Sequence, residues 1–288
     1  EYDYQIVEGS VKQTGARRIE GFSKQLSKNV WSADADQNYT IYFVIEFNKD
    51  IKKFGGWHDH TLWETDTMTA HYPQRFGCYA EFDTTDHPEV MVRSGISYVD
   101  MAGASNNLSN EITEPFGWNF EAVHKHQSDS WNNILNRVRI YSNDYREKVR
   151  FYTNLYRAFC RNTFSDADRR WVDAAGNIQK LDDPDAVALG CDAFWNTFWN
   201  LNQVWNLIAP EWSSRWVKSQ LAMYDANGWL AKGPSGMKYI PVMVGEHEIP
   251  LLVSTYQMGI RNYDAEKMFR AIVKMQTTPA QRLSLIHI

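Results

Sequence analysis

The stretch Glu114–Val138, "EPFGWNFEAVHKHQSDSWNNILNRV", decides the fold, because the hydrophobic period changes across it. Phe120, Val123, Trp131, Leu135 and Val138 are spaced like one face of helical structure. Upstream the chain reads as β. "NYTIYFVIEF" (Asn38–Phe47), "RFGCYAEFD" (Arg75–Asp83) and "EVMVRSGISYVD" (Glu89–Asp100) are strand-like runs parted by polar segments with Gly and Pro. Such spacing predicts an antiparallel β-sandwich. Downstream, Asp144–Arg161 places Val149, Tyr152, Leu155, Tyr156 and Phe159 on one helical stripe. Further helices are predicted in "DAFWNTFWNLNQVWNLIA", "PEWSSRWVKSQLAMYDANG", "IPLLVSTYQMGI" and "DAEKMFRAIVKMQ". Pro210 ends one helix and begins the next, Gly228 and Gly259 are stops, and Asp264 is an N-cap. The connection 162–190 is long enough to be functional or to carry short elements of its own.

The expected organisation is a β-sandwich over 1–112, the C-terminal part of a larger N-terminal domain. Linker helices over 113–141 follow, then helical hairpins over 142–288 that close part of a toroid around a pocket. Twelve Trp, 15 Tyr and 14 Phe exceed what packing needs, and they fit either a large aromatic core or faces that stack on sugar rings. A net charge of −5 without blocks of Lys or Arg argues against a nucleic-acid partner. No apolar stretch approaches the ~18 residues of a membrane span. Three scattered cysteines form neither a disulfide framework nor a zinc pattern.

Candidate chemistry concentrates in "PVMVGEHEIPLLVSTYQMG" (Pro241–Gly259), where His247 stands between Glu246 and Glu248. The pair reads as an active-site edge, or as a helix-capping Glu248 beside a solvated Glu246. His247 reads as a ligand contact or a structural histidine. Trp229 reads as a sugar platform or as core. In "GGWHDHTLWETD" the His58-Asp59-His60 run has strand spacing for two metal ligands but no evident third, and reads as an exposed polar loop. "FSDAD" (Phe164–Asp168) has calcium-like oxygen spacing without a full loop motif, and reads as a turn.

"VRSGISYVDMAGASNNLSNEI" with "GWNFEAVHKHQSDSWNNILNRVRI", then "FYTNLYRAF", "NTFSDAD", "AFWNTFWNLNQVWNLIAPE", "SQLAMYDANGWLAKGP" and "MVGEHEIPLLVSTYQMGIRNYDAEK" together resemble glycoside hydrolase family 92, the calcium-dependent α-mannosidases. The ordered set covers most of residues 40–277. The resemblance implies a β-sandwich joined to an (α/α)6 toroid. It implies exo-acting removal of terminal α-linked mannose, or a related α-glycoside, with inversion, and a glycan partner. It also implies Ca²⁺ as cofactor, a glutamic acid as general acid, and an Asp pair in a Gly-Asn-Asp-Asp-type segment as base. It places the protein among secreted or periplasmic bacterial enzymes, with sandwich loops reaching over the toroid so that Trp57 walls the pocket.

This sequence departs from the family pattern at chemistry-bearing positions. Tyr239 stands where the family's catalytic glutamate aligns. Trp195, Asn196, Thr197, Phe198 and Trp199 stand where a Trp-Asp-Thr-Tyr-Arg segment is usual, so an Asp and an Arg that resemble sugar-hydroxyl ligands have become Asn and Trp. Trp195, Asn196, Trp229, Tyr239, His247 and Trp57 are therefore the expected substrate contacts, with Glu246 and Glu248 as the acids that replace the missing one. About five toroid helices are countable by period, and no Gly-Asn-Asp-Asp-type segment occurs. The tail "RLSLIHI" does not resemble the family's continuation and is expected to be a cloning or assembly artefact. The natural chain is expected to run on past residue 288 to the base and most calcium ligands. The alternative is a non-catalytic carbohydrate-binding descendant of the same fold.

Overall fold

The structure, a computed structural model, describes residues 4–27, 37–71, 75–159, 162–190, 194, 196–232 and 246–278. Trp195, Tyr239, Gly245 and the tail 282–288 lie outside the described residues.

Eight strands open the chain: β1 (Tyr4–Gly15), β2 (Arg18–Ser27), β3 (Gln37–Phe47), β4 (Ile51–His58), β5 (Thr61–Glu64), β6 (Thr67–His71), β7 (Phe76–Phe82) and β8 (Val92–Ser97). Among the described residues they form two sheets, ordered β6-β1-β2-β3-β8 and β5-β4-β7, with antiparallel pairing throughout. Val11, Ile19 and Phe47 from the first sheet meet Phe54, Phe76, Cys78 and Phe82 from the second in one core. The alternate inward residues of both sheets thus make the sandwich.

Helix α1 (Met101–Leu108) follows β8. Its sequence, "MAGASNNL", is poor in helix formers, so packing rather than propensity forms it. Ala104 and Leu108 seal against Val44 of β3. A side chain at Gly95 would strike the Ala104 carbonyl and the Leu108 side chain, so the small residues let helix and sheet approach closely.

The remaining helices are α2 (Glu114–Phe116), α3 (Phe120–Leu135), α4 (Tyr145–Phe159), α5 (Leu201–Ile208), α6 (Pro210–Asn227), α7 (Glu248–Gln257) and α8 (Ala265–Thr277), with short strands β9 (Arg170–Val172) and β10 (Ile178–Lys180) inside the 162–190 connection. Pro210 sits in the first turn of α6, where its missing N–H costs nothing. Gly228 closes α6 in the left-handed region at φ 75°. Asp264 caps α8 by accepting from the Lys267 N–H at 2.8 Å. Val217 and Leu221 of α6, Leu252 of α7 and Met268, Ala271 and Met275 of α8 form the helical core with Leu230.

The chain divides into two compact units, 1–30 with 34–119 and 165–172, and 31–33 with 120–164 and 173–288. The first unit runs to Asn119 and includes Ser165–Asp168 of "FSDAD", while Phe164 belongs to the second. The reason is a polar knot. Asp166 is 6% exposed, and its carboxylate accepts from Ser97 Oγ at 2.7 Å and Asn107 Nδ2 at 2.9 Å. Asn107 also takes the Ala167 N–H at 2.7 Å, and Arg170 spans Asp100 and Asp168 at 2.7 and 2.6 Å. The Asp oxygens that look calcium-like in sequence are thus met by protein donors.

Candidate active site

Three segments of the second unit build the site. The first is the turn that leads into α5. Asn196 adopts a left-handed backbone at φ 71°, and a 3-10 turn over Thr197–Trp199 follows, locked by the Thr197 hydroxyl donating to the Phe194 carbonyl at 2.9 Å. This throws the neighbouring aromatic rings outward: Phe198 is 37% exposed and Trp199 70%, and the two meet edge to face. The second segment follows α6. The buried Gln220 amide makes a reciprocal pair with Ala231, donating to its carbonyl at 3.0 Å and accepting from its N–H at 2.9 Å. That clamp fixes the next residue, Lys232, which is only 2% exposed.

The third segment is Glu246-His247-Glu248. Glu248 is the first residue of α7, with Pro250 tolerated two positions on because first-turn N–H groups lack intrahelical partners anyway. The His247 ring lies on Phe198, centroids 5.6 Å apart and planes 14° apart. Glu246 is not the solvated residue that a simple charged turn would give. Its side chain is 4% exposed and pairs with Lys232 Nζ at 3.6 Å. Glu248 is fully buried, and among the described residues no hydrogen bond satisfies either of its oxygens. Its polar neighbour is the Glu246 carboxyl, within hydrogen-bonding reach. Burial first, and the Glu246 charge second, push the Glu248 carboxyl well above the usual carboxylate range. Two carboxyls this close can share one proton, which is how such pairs avoid two adjacent buried charges.

Helices α5 and α6 also bury polar side chains. Among the described residues, Asn202 of α5 is fully buried with neither side-chain polar atom bonded, and the Ser213 and Ser214 hydroxyls and the Trp216 Nε1 of α6 find no hydrogen-bond partner. Such orphaned groups are rare in a plain core and common where water or a ligand enters.

The other sequence candidates fall elsewhere. Trp229 packs against the helical core and carries the Lys274 ammonium over its ring at 4.5 Å. Trp57 lies on β4 in the first unit, across Gly77 of β7. His58 ion-pairs with Asp59 at 3.1 Å and stacks on Trp63. Lys232 was not legible as a site residue, since "GWLAKGP" offers no signal beyond a lone charge after an apolar pair.

Among the described residues no group of three His, Cys, Asp or Glu could hold a metal ion. Calcium takes about six to eight oxygen ligands, and the described residues bring together no carboxylate cluster of that kind.

The chain thus joins a β-sandwich unit to a helical unit that holds a buried carboxyl pair beside exposed aromatic rings. Two family models, the glycosyl hydrolase family 92 N-terminal domain over residues 2–97 and its catalytic domain over 103–285, match the chain, which belongs to that family. No curated protein sequence matches it. Among solved structures, a family GH92 α-mannosidase from Bacteroides thetaiotaomicron superposes with TM-score 0.80 at 22% identity, over 95% of this chain and 36% of its own. The family GH92 inverting mannosidase from Bacteroides thetaiotaomicron VPI-5482 gives 0.80, 22%, 96% and 37%. A further GH92-family glycosyl hydrolase gives 0.70, 18%, 93% and 35%. The likeness is one of fold, and the chain spans about a third of the length of these structures.

Proposed function

We propose that this chain is part of an exo-acting glycoside hydrolase that removes terminal α-linked mannose, or a related α-glycoside, from glycans with inversion. The carrying observation is the Glu246–Glu248 pair, buried beside the Phe198–His247 stack and holding a carboxyl that burial first, and the Glu246 charge second, push well above the usual carboxylate range. A general acid needs its protonated state to protonate the leaving oxygen as the C1–O bond breaks. Glu248 is the store of the proton and Glu246 the outer group that passes it on. A water attacking C1 from the opposite face gives its proton to a base, which this sequence does not assign. Asn196, Phe198, Trp199 and His247 supply the sugar-facing surface, with Trp195 next to Asn196 in sequence and Tyr239 a proposed contact by family resemblance. Trp57 and Trp229 remain proposed contacts by family resemblance. Calcium dependence and a secreted or periplasmic location belong to the same proposal on the same ground.

The test is release of mannose from an aryl α-mannoside and from an α-linked mannobiose by the protein containing this chain. Glu246→Gln and Glu248→Gln should each abolish turnover while keeping the fold. Unchanged rates in both variants remove the acid assignment. Binding of mannosides without turnover by the wild type favours the non-catalytic descendant.

A further inference from the structure

We propose that the junction of α5, α6 and α7 is an internal water-binding site, walled by the Asn202 amide, the Ser213 hydroxyl and the Trp216 Nε1. Asn202, Ser213 and Trp216 are each 0% exposed. Among the described residues, four polar atoms of these side chains have no hydrogen-bond partner: Asn202 Nδ2 and Oδ1, Ser213 Oγ and Trp216 Nε1. The net stability of a domain is small, so keeping these atoms dry would remove a large part of it.

Contacts on either side of Asn202 bring the three residues to one place. Helices α5 and α7 run side by side in the same direction. The His247 ring meets Phe198 just before the two helices begin. Further along, Asn206 donates to Ser254 Oγ at 3.3 Å and accepts from Thr255 Oγ1 at 3.2 Å. Asn202 lies between these contacts, one turn before Asn206 on the same face of α5. It is therefore level with Leu251, one turn before Thr255 on the buried face of α7. Its other neighbour is α6, because Trp205, one turn after Asn202, stacks on Trp216 at 6.0 Å. Asn202 is thus set between α6 and α7. Ser213 takes the matching position on α6. It stands one turn before both Trp216, which meets α5, and Val217, which packs with Leu252 of α7. Ser213 is nearer than Asn202 to the α5–α6 connection at Ala209, so the waters form a short row rather than a single bridge. Glu248 is one turn before Leu251 on the buried face of α7, so the row runs toward the acid pair.

Burial and chemistry together decide the ligand. Side chains at zero exposure are closed to a sugar, a peptide segment or a partner surface, so the occupant is small and internal. None of the three is charged, so a metal cation or an anion would lack its usual partners. The set mixes donors with acceptors: the amide offers both, the hydroxyl can serve as either, and the indole only donates. A buried water answers such a set, since it donates and accepts at once and makes about three hydrogen bonds.

The proposal stands whether or not the protein hydrolyses mannosides, and its test needs no turnover. The experiment is a high-resolution crystal structure of the protein containing this chain, read with the urea midpoint of Asn202→Leu. Ordered water should lie within ~3.2 Å of the Asn202 amide and of Ser213 Oγ or Trp216 Nε1. Asn202→Leu keeps the shape of the side chain and removes its polar atoms. In a hydrated site it displaces water, strands Ser213 and Trp216 and lowers the midpoint. In a dry site it relieves an unpaired amide and raises the midpoint. Atoms met by protein groups alone or by no water, or a midpoint at or above wild type, would each overturn the proposal. If Asn202→Leu does not fold, the wild-type crystal structure decides by itself.

Discussion

The His247 imidazole lies nearly parallel to the Phe198 ring, 5.6 Å between centroids and 14° between planes. This contact joins two segments that stand far apart in sequence, the Trp195–Trp199 run and the Glu246–Glu248 run. It sets the aromatic edge of the site directly beside its acid pair. Phe198 in turn holds Trp199, whose ring is largely in solvent.

Trp199→Ala removes an exposed face and little packing. Stability should therefore stay within about 0.5 kcal/mol of wild type. Mannoside affinity should fall by about tenfold if the ring stacks on sugar, a loss of ~1.4 kcal/mol. Calorimetric titration with a mannoside and chemical denaturation of the same variant measure the two effects separately.

Gly103→Ala should be severely destabilising although it adds one methyl group. The new Cβ would strike the Asp166 carboxylate and come within 2.6 Å of Ser97 Oγ. Asp166→Ala should cost about 1–3 kcal/mol, because the Ser97 hydroxyl would lose its acceptor and the Asn107 amide would keep only its bond to the Ile96 carbonyl. Combining the two should cost less than the sum, since both act on one knot. Urea denaturation of the single and double variants is the check.

Trp216→Ala should cost about 3–5 kcal/mol. The ring is fully buried, stacked on Trp205 at 6.0 Å and met edge-on by Phe194 at 4.9 Å. A loss below that range would mean that the surrounding aromatic rings collapse into the gap.

The Glu248 carboxyl titrates well above its ordinary value of 4.5 in the folded chain, because of burial and then Glu246. Its stabilising contribution is therefore full below that ordinary value. As pH rises, the unfolded chain loses its proton first, so stability declines up to the folded-state value. Glu248→Gln cannot ionise and should flatten this decline, gaining on wild type as pH rises. Denaturation midpoints across the acid-to-alkaline range measure it, and parallel curves for the two proteins would contradict it.

Much of the fold was legible because period is a local property. The run Asn38–Phe47 became β3 at Gln37–Phe47, and Asp144–Arg161 became α4 at Tyr145–Phe159. The strands β1 and β2 were not read, since "EGSVKQTGARRIEGFSKQL" breaks its alternation with Gly and charged residues. Their pairing with each other and with β3 and β6 makes them strands. Helix α1 was hidden by its Gly, Ser and Asn content, which serves close packing rather than helix propensity. The acid pair was legible as composition, but its burial was not. Glu246 follows a glycine and precedes a helix, a setting in which most carboxylates are solvated. The three-dimensional approach of Lys232, fourteen residues earlier in sequence, makes it half of a buried ion pair.

The most direct test of the central claim is to follow hydrolysis of an α-mannoside by proton NMR, using the protein containing this chain, and to identify the anomer of mannose formed first. An inverting hydrolase gives β-mannose first, with the α-anomer growing only as mutarotation proceeds. First appearance of α-mannose, or binding of the mannoside with no product at all, would contradict the account.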